Sequence, residues 1–267
     1  MTLMTFFGCA ITAFGPALSF FVIIIARDPI RVIIVIASGF YWLLSLLLSS
    51  GLWMAVVPLR NQLAFGLVFS VLLQELFRFA FYKTMRKAEK GLQMVSDDEM
   101  YKDHNVAQAR LVLALVSGFG YGLISGAFAL INVLADIWGP GTLGLLGRGD
   151  HYFFFTSAYL TMCIIFLHTC WSVIFFYACD KRKYHLILMV VVSHMLISCL
   201  TLINAQKLYA ASLVPVTLIM LAVAVTAFFL AGGSLRNWRS LFKRSASRSL
   251  TAGTVNGDGN ARTTVIT

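Results

Sequence analysis

Seven stretches of this chain are apolar over a length that fits a bilayer: about 3–26, 32–57, 63–82, 111–135, 152–179, 186–203 and 209–231. A helix rising 1.5 Å per residue needs roughly 17–25 such residues to cross a hydrocarbon core about 30 Å thick. Inside that core the backbone must satisfy its own N–H and C=O groups, so each run is expected to be a helix. The predicted fold is therefore all-α, a polytopic membrane protein with seven transmembrane helices over 1–235. Residues 236–267 form a basic tail rich in Ser, Arg, Gly, Thr and Asn, a composition that predicts disorder. Its cationic cluster with Trp238 is expected to rest on anionic lipid.

The net charge of +10 would by itself point to a polyanion, but the charges are sorted by side. The first, third and fifth connections together with the tail carry 17 of the 21 Lys and Arg residues, and the other connections carry Arg60, Arg148 and Lys207. This asymmetry predicts a lumenal or extracellular N-terminus and a cytosolic C-terminus. It explains the basic total without nucleic acid. The first apolar run lacks a basic segment before it and is read as a retained span. The five cysteines lie in or beside apolar runs at spacings that match no disulfide framework or zinc site, so they are expected to be small buried hydrophobes. No cofactor or metal is predicted. The connections on the lumenal side are short, the longest being 136–150, so the protein is expected to act within the membrane.

The fourth run carries glycine at 118, 122 and 126. At about 100° per residue, steps of four turn the helix by only about 40°, which lines the glycines along one groove. Ala114, Ser125, Ala129, Asn132 and Asp136 fall in the same sector of roughly 120°, whereas Val116, Leu123, Leu130, Ile131 and Leu134 are expected to point away. Lipid supplies no hydrophobic drive for helix association, so a face of small residues matters because it permits close approach. Gly118, Gly122, Gly126, Ser125 and Asn132 are accordingly the candidate helix-packing and assembly residues. The partner helix is either internal or supplied by another protein.

Four ionisable residues lie within the apolar runs, where burial is costly: Glu75, Arg78, His168 and His194. Glu75 and Arg78 are three residues apart on one helix and are predicted to form an intramembrane ion pair, with Arg78 also within reach of the cytosolic surface. His168 lies twelve residues before Asp180 and His194 ten after Tyr184, which places both roughly 15–18 Å from the cytosolic helix ends. Each carries hydroxyl neighbours on its own face, so the two histidines are read as one intramembrane polar pocket or partner contact.

Catalysis fits poorly. An intramembrane aspartyl protease needs two carboxylates that share a proton. The GRGD segment at 147–150 places Asp150 in a connection beside Arg148 and His151, with no second intramembrane aspartate. Ser125 beside Gly126 lacks the surroundings of an activated nucleophile.

Further blocks extend the pattern: FFGCAITAFGPA (6–17), RDPIRVI (27–33), SVLLQELFRFAFYK (70–83), SGFGYGLISGAFALINVLADIWGPG (117–141), TSAYLT (156–161), HTCWSVIFFYAC (168–179) and SHMLIS (193–198). In order and spacing they resemble the anterior pharynx-defective family, the seven-span subunit of gamma-secretase. The resemblance implies a non-catalytic scaffold that supports assembly with nicastrin, presenilin and the presenilin enhancer subunit, and so cleavage of Notch-like and amyloid-precursor-like membrane proteins. It implies residence in the endoplasmic reticulum, Golgi and plasma membrane. It also implies that Gly118, Gly122 and Gly126 support complex assembly and that His168 and His194 lie near where presenilin engages. The connection around PLRNQ is shorter than the family pattern, and the C-terminal tail falls outside the resemblance. A seven-span receptor or a transporter with a ligand site near His168 and His194 is the rival reading. The short lumenal connections count against the first, and the lack of a repeated half counts against the second.

Overall fold

A computed structural model of the chain describes residues 3–56, 63–95, 104–138 and 151–233. Among them there are seven helices long and apolar enough to cross a membrane, and no strand. They are α1 (Leu3–Phe20), α2 (Pro29–Ala55), α3 (Leu63–Val95), α4 (His104–Trp138), α5 (His151–Lys181), α6 (Tyr184–Leu202) and α7 (Tyr209–Leu230). The chain is a multi-pass membrane protein. It divides into one unit over 1–227 and a second over 228–267.

The helix ends follow local chemistry. α1 passes through Pro16 and continues as a π-helical turn, Phe21–Ile25, closed by Ala26 N–H donating to the Phe21 carbonyl at 2.9 Å. The Arg31 guanidinium donates to the Ile24 carbonyl at 2.6 Å, capping that turn from the next helix. Asp28 starts α2 by accepting from Ile30 N–H at 3.0 Å, with Pro29 at the first helical position where no N–H is needed. In the second unit, Gly232 adopts φ +86°, which lets Gly233 N–H reach the Phe228 carbonyl at 2.9 Å and Gly232 N–H the Phe229 carbonyl at 3.1 Å. These are the bonds of a left-handed C-terminal cap.

α3 and α4 extend well past the apolar runs that predict them, because their polar extensions are made of good helix formers and tied by charge. Arg86 pairs with Glu89 at 2.8 Å, and Glu89 accepts from Arg110 of α4 at 2.8 Å. Arg86 also grips Asp180 at the end of α5 through Nε and Nη2, and Tyr82 donates to the same carboxylate at 2.7 Å. One end of the bundle is thus laced together across three helices.

Helices α2, α3, α6, α5 and α4 contact one another in that cyclic order and close a five-helix ring, and α1 packs on α4 and α5. α5 is the most enclosed helix. α6 and α7 turn residues such as Leu188, Leu196, Leu218 and Leu221 outward, as suits a lipid-facing surface. Cys9 and Cys163 are buried, but Cys199 is exposed, which corrects the expectation that all five cysteines are interior.

The glycine groove is filled from within the chain. A Cβ on Gly118 would stand 2.6 Å from Ser172 Cβ, one on Gly122 2.6 Å from the Ile165 carbonyl, and one on Gly126 2.8 Å from Ile165 Cγ1. The occupant is α5. The seam continues to Leu130, which is fully buried with Ala13 of α1 and with Phe154 and Ala158 of α5. This corrects the fixed sector drawn from the sequence, in which Leu130 pointed away and Asn132 pointed in. A ridge of i, i+4 positions turns by about 40° per step, so by residue 130 the seam has rotated onto Leu130 and Asn132 lies about 160° from it. Asn132 is exposed and takes no part in this packing. Val116, also expected to face outward, is buried on a second ridge with Gly120 and Ile124. There α2 approaches so closely that a Cβ on Gly120 would overlap Ser38 Oγ and the Val35 carbonyl, while Gly39 of α2 makes room for Ile124. α4 is therefore gripped on two opposite faces.

Candidate functional site: a buried ionisable quartet beneath a cavity

Glu75 and Arg78 face into the ring, near α5 and α6, where they meet both histidines. Arg78 Nε lies 3.1 Å from Glu75 Oε2 as an ion pair without hydrogen-bond alignment, and Nη2 donates to Oε1 at 3.2 Å. Nη1 donates to the His168 carbonyl at 3.1 Å and to Ser172 Oγ at 2.6 Å, and Nη2 contacts His168 Nδ1 at 2.7 Å. Arg78 is 1% exposed, so the reach toward the cytosolic surface open to it in the sequence is not used. His194 Nδ1 lies 2.7 Å from the other side of the pair, on Glu75 Oε1.

The bonding fixes the tautomers. A guanidinium has no acceptor, so His168 Nδ1 must accept from it and its ring proton sits on Nε2. A carboxylate only accepts, so His194 donates from Nδ1. The two imidazoles meet edge to face with centroids 4.9 Å apart, and Trp171 lies 4.5 Å from the His194 ring. Tyr121 of α4 seals the other side, its ring 4.9 Å from the Arg78 guanidinium and its hydroxyl donating to the Gln74 carbonyl at 2.5 Å. Gln74 accepts from Trp42 Nε1 at 3.2 Å and donates to Ser70 at 3.2 Å, which carries the network to α2.

Two features that the sequence showed separately are therefore one site. Glu75, Arg78, His168 and His194 converge, whereas the glycine seam supports it from behind: Gly118 and Gly122 sit against the His168 carbonyl and Cβ. Ser125 is part-buried and lines a cavity shared with both histidines, and Asn132 is remote from it. Sequence reasoning missed Tyr121, Gln74 and Trp171. A polar Gln beside Glu75 in an apolar run was the available signal for the second, but aromatics in such runs carry none. Among the described residues no group of three or more His, Cys, Asp or Glu side chains is arranged to hold a metal ion. The GRGD segment, Arg60 and the tail lie outside the described residues.

Because both imidazoles hang on one ion pair, His168→Ala and His194→Ala are expected to destabilise the protein non-additively. Each single change leaves a buried partner unsatisfied, and the second finds part of that cost already incurred. Melting of the four members of this cycle in mild detergent checks it; a double variant equal to the sum of the singles would dissolve the quartet into independent contacts.

The cavity, about 500 Å³, lies between the quartet and the end of the bundle marked by Trp53 and Gly66. From Gly66 to Glu75 along α3 is nine residues, or about 13 Å.

The sequence matches a known group of proteins. The family model described as Aph-1 protein matches residues 4–234. A gamma-secretase subunit Aph-1 of Drosophila melanogaster is 52% identical over 239 residues, covering 90% of this chain and 98% of its own length. The human gamma-secretase subunit APH-1B is 42% identical over 246 residues, 89% of this chain and 92% of its own. An Arabidopsis thaliana protein named gamma-secretase subunit APH1-like is 32% identical over 208 residues, 76% and 83% respectively. With seven spans in place and identity of this extent over most of its length, the chain belongs to the Aph-1 family.

Proposed function

We propose that this chain is a non-catalytic scaffold subunit of a gamma-secretase complex, assembling with presenilin, nicastrin and the presenilin enhancer subunit. The observation that carries the reading is the near full-length similarity to relatives named as gamma-secretase subunits. The chemistry of the interior agrees with it. Glu75 is the only buried carboxylate among the described residues, and it is held by Arg78 and His194. A second carboxylate with which it would share a proton is what aspartyl chemistry requires. In this reading the quartet and the glycine seams stiffen the bundle, and the outward apolar faces of α6 and α7 are available to partner helices. Gly118, Gly122 and Gly126 support assembly indirectly, by setting the position of α5. The N-terminus is lumenal, the tail is cytosolic, and the complex passes from the endoplasmic reticulum through the Golgi to the plasma membrane.

A mild-detergent pull-down from native cells tests this. Co-recovery of presenilin and nicastrin, with proteolysis that an aspartyl-protease transition-state inhibitor blocks, is the expected result. A monodisperse single chain without them would overturn it.

A further inference from the structure

The outward face of α3 changes character along its length. Leu72, Leu76 and Phe79 are exposed on it, and the exposed Lys83, Lys87 and Lys90 continue the same face beyond them. At about 100° per residue all six fall in a sector of roughly 80°, so an apolar stripe runs directly into a cationic one. The neighbouring arginines are already neutralised: Arg86 pairs with Glu89 and Asp180, and Arg110 pairs with Glu89. None of the three lysines has a carboxylate partner among the described residues. Lys83 instead rests its ammonium 5.1 Å from the centre of the Phe79 ring, at the point where the stripe turns from apolar to basic. The Arg86–Asp180 contact also pins the turn between α5 and α6 beside α3. That turn carries Lys181, Arg182 and Lys183, all exposed and likewise without a carboxylate partner among the described residues. It is closed by Arg182 at φ +54° and by Lys183 N–H donating to the Ala178 carbonyl at 2.9 Å. Two basic groups on separate elements are thereby held on either side of one ion pair.

We propose that this end of the bundle binds a phosphoinositide, with its acyl chains along Leu72, Leu76 and Phe79 and its phosphates between the α3 lysines and the α5–α6 turn. Charge complementarity selects the lipid. Cations that no carboxylate offsets call for an anion of several charges, and from Lys83 to Lys90 they climb about 10 Å along α3. A single phosphodiester at the bilayer surface meets only the lowest of them, whereas phosphates carried on an inositol ring reach the higher ones as well. One exposed lysine holds a phosphate weakly, but several that engage one headgroup, confined by its acyl chains to the bilayer, act at high effective concentration. This inference does not depend on which complex the chain joins, and it concerns an outer surface separate from the quartet.

Full-length protein, purified with whatever accompanies it, is placed in phosphatidylcholine nanodiscs containing a trace of phosphatidylinositol bisphosphate with a diazirine in its acyl chain, and the photolabelled peptides are located by mass spectrometry. Lipid reaches both faces of a nanodisc, so the result does not depend on the orientation of the chain in a cell. Label is expected on the α3 segment around Leu72 and Phe79. Unlabelled phosphatidylinositol bisphosphate should compete, and phosphatidylserine supplying the same total charge should not. Lys83→Gln, Lys87→Gln and Lys90→Gln together keep helix propensity and leave the Arg86 pairs in place, and should lower the label at least about tenfold. The same three positions changed to Arg should retain it. Lys181→Gln with Lys183→Gln probes the turn independently of α3 and should also lower the label, whereas Lys207→Gln, between α6 and α7 at the opposite end of the bundle, should not. Labelling unchanged in the lysine-to-glutamine variants that fold, or competition by charge-matched phosphatidylserine as strong as by the bisphosphate, would overturn the proposal.

Discussion

Gly122→Leu is expected to reduce the recovery of folded, assembled protein at least tenfold while leaving membrane insertion intact. A Cβ at this position would stand 2.6 Å from the Ile165 carbonyl and 2.9 Å from His168 Cβ, and the first of these is backbone, which no rotamer change can move. A leucine therefore has to push α4 and α5 apart. Overpacking an interior costs about 1–3 kcal/mol, and the displacement would also carry off the His168 carbonyl and Ser172 hydroxyl that hold Arg78. Insertion depends on hydropathy, which the substitution raises, so membrane levels should hold. Gly51→Leu is the control, because nothing lies within 4 Å of a Cβ built there. The comparison is read as the amount of chain recovered in the complex per inserted chain, and as the melting midpoint in mild detergent. Equal values for the two variants would refute the close packing of this seam.

Arg78→Met is expected to be as damaging for a different reason. Methionine fills part of the volume but abandons a buried carboxylate, the His168 carbonyl, the His168 Nδ1 and the Ser172 hydroxyl at once. Breaking a buried ion pair by removing one partner costs about 3–5 kcal/mol, mostly through the charge left behind. Adding Glu75→Gln removes that charge, so the double variant should be more stable than Arg78→Met alone. Melting of the two proteins side by side checks the order. A double variant that is the less stable of the two would show that Glu75 is accommodated by other groups and that the pair is not the unit described here.

The rival reading of a ligand site near His168 and His194 bears differently on these results. In a receptor or transporter the quartet would change partners during function, and some of its bonds would be dispensable for stability. In a scaffold subunit all of them should cost stability when removed. The histidine cycle and the Arg78 series therefore test the role of the quartet as well as its energetics.

Much of this architecture was legible in the sequence. The seven spans follow from hydropathy and from the demand that backbone in lipid bond to itself, and they hold without knowledge of any partner. The Glu75–Arg78 pair was legible because three residues along a helix bring side chains together wherever that helix goes. The glycines at 118, 122 and 126 announced a close contact by their spacing. What they touch was not legible, since small residues specify how near a helix can come but not which helix comes.

The remainder required the tertiary structure. His168 lies 90 residues from Arg78, and His194 lies 119 from Glu75, separations over which no local period carries information. A helical wheel fixed at residue 118 placed Asn132 inside and Leu130 outside because it assumed a straight seam, whereas packed ridges drift around the helix axis. Gly120 and Gly39 passed unnoticed because neither belongs to a repeated spacing, and only the approach of α2 to α4 gives them a purpose. The sequence by itself determined that the chain has seven runs able to cross the membrane, that a close helix contact runs along Gly118, Gly122 and Gly126, and which charges had to be hidden. The tertiary structure decided which face meets which helix, because interhelical distance and crossing angle come from side-chain interlocking summed along whole helices. In that way it turned an ion pair on one helix and two distant histidines into a single buried site under a cavity.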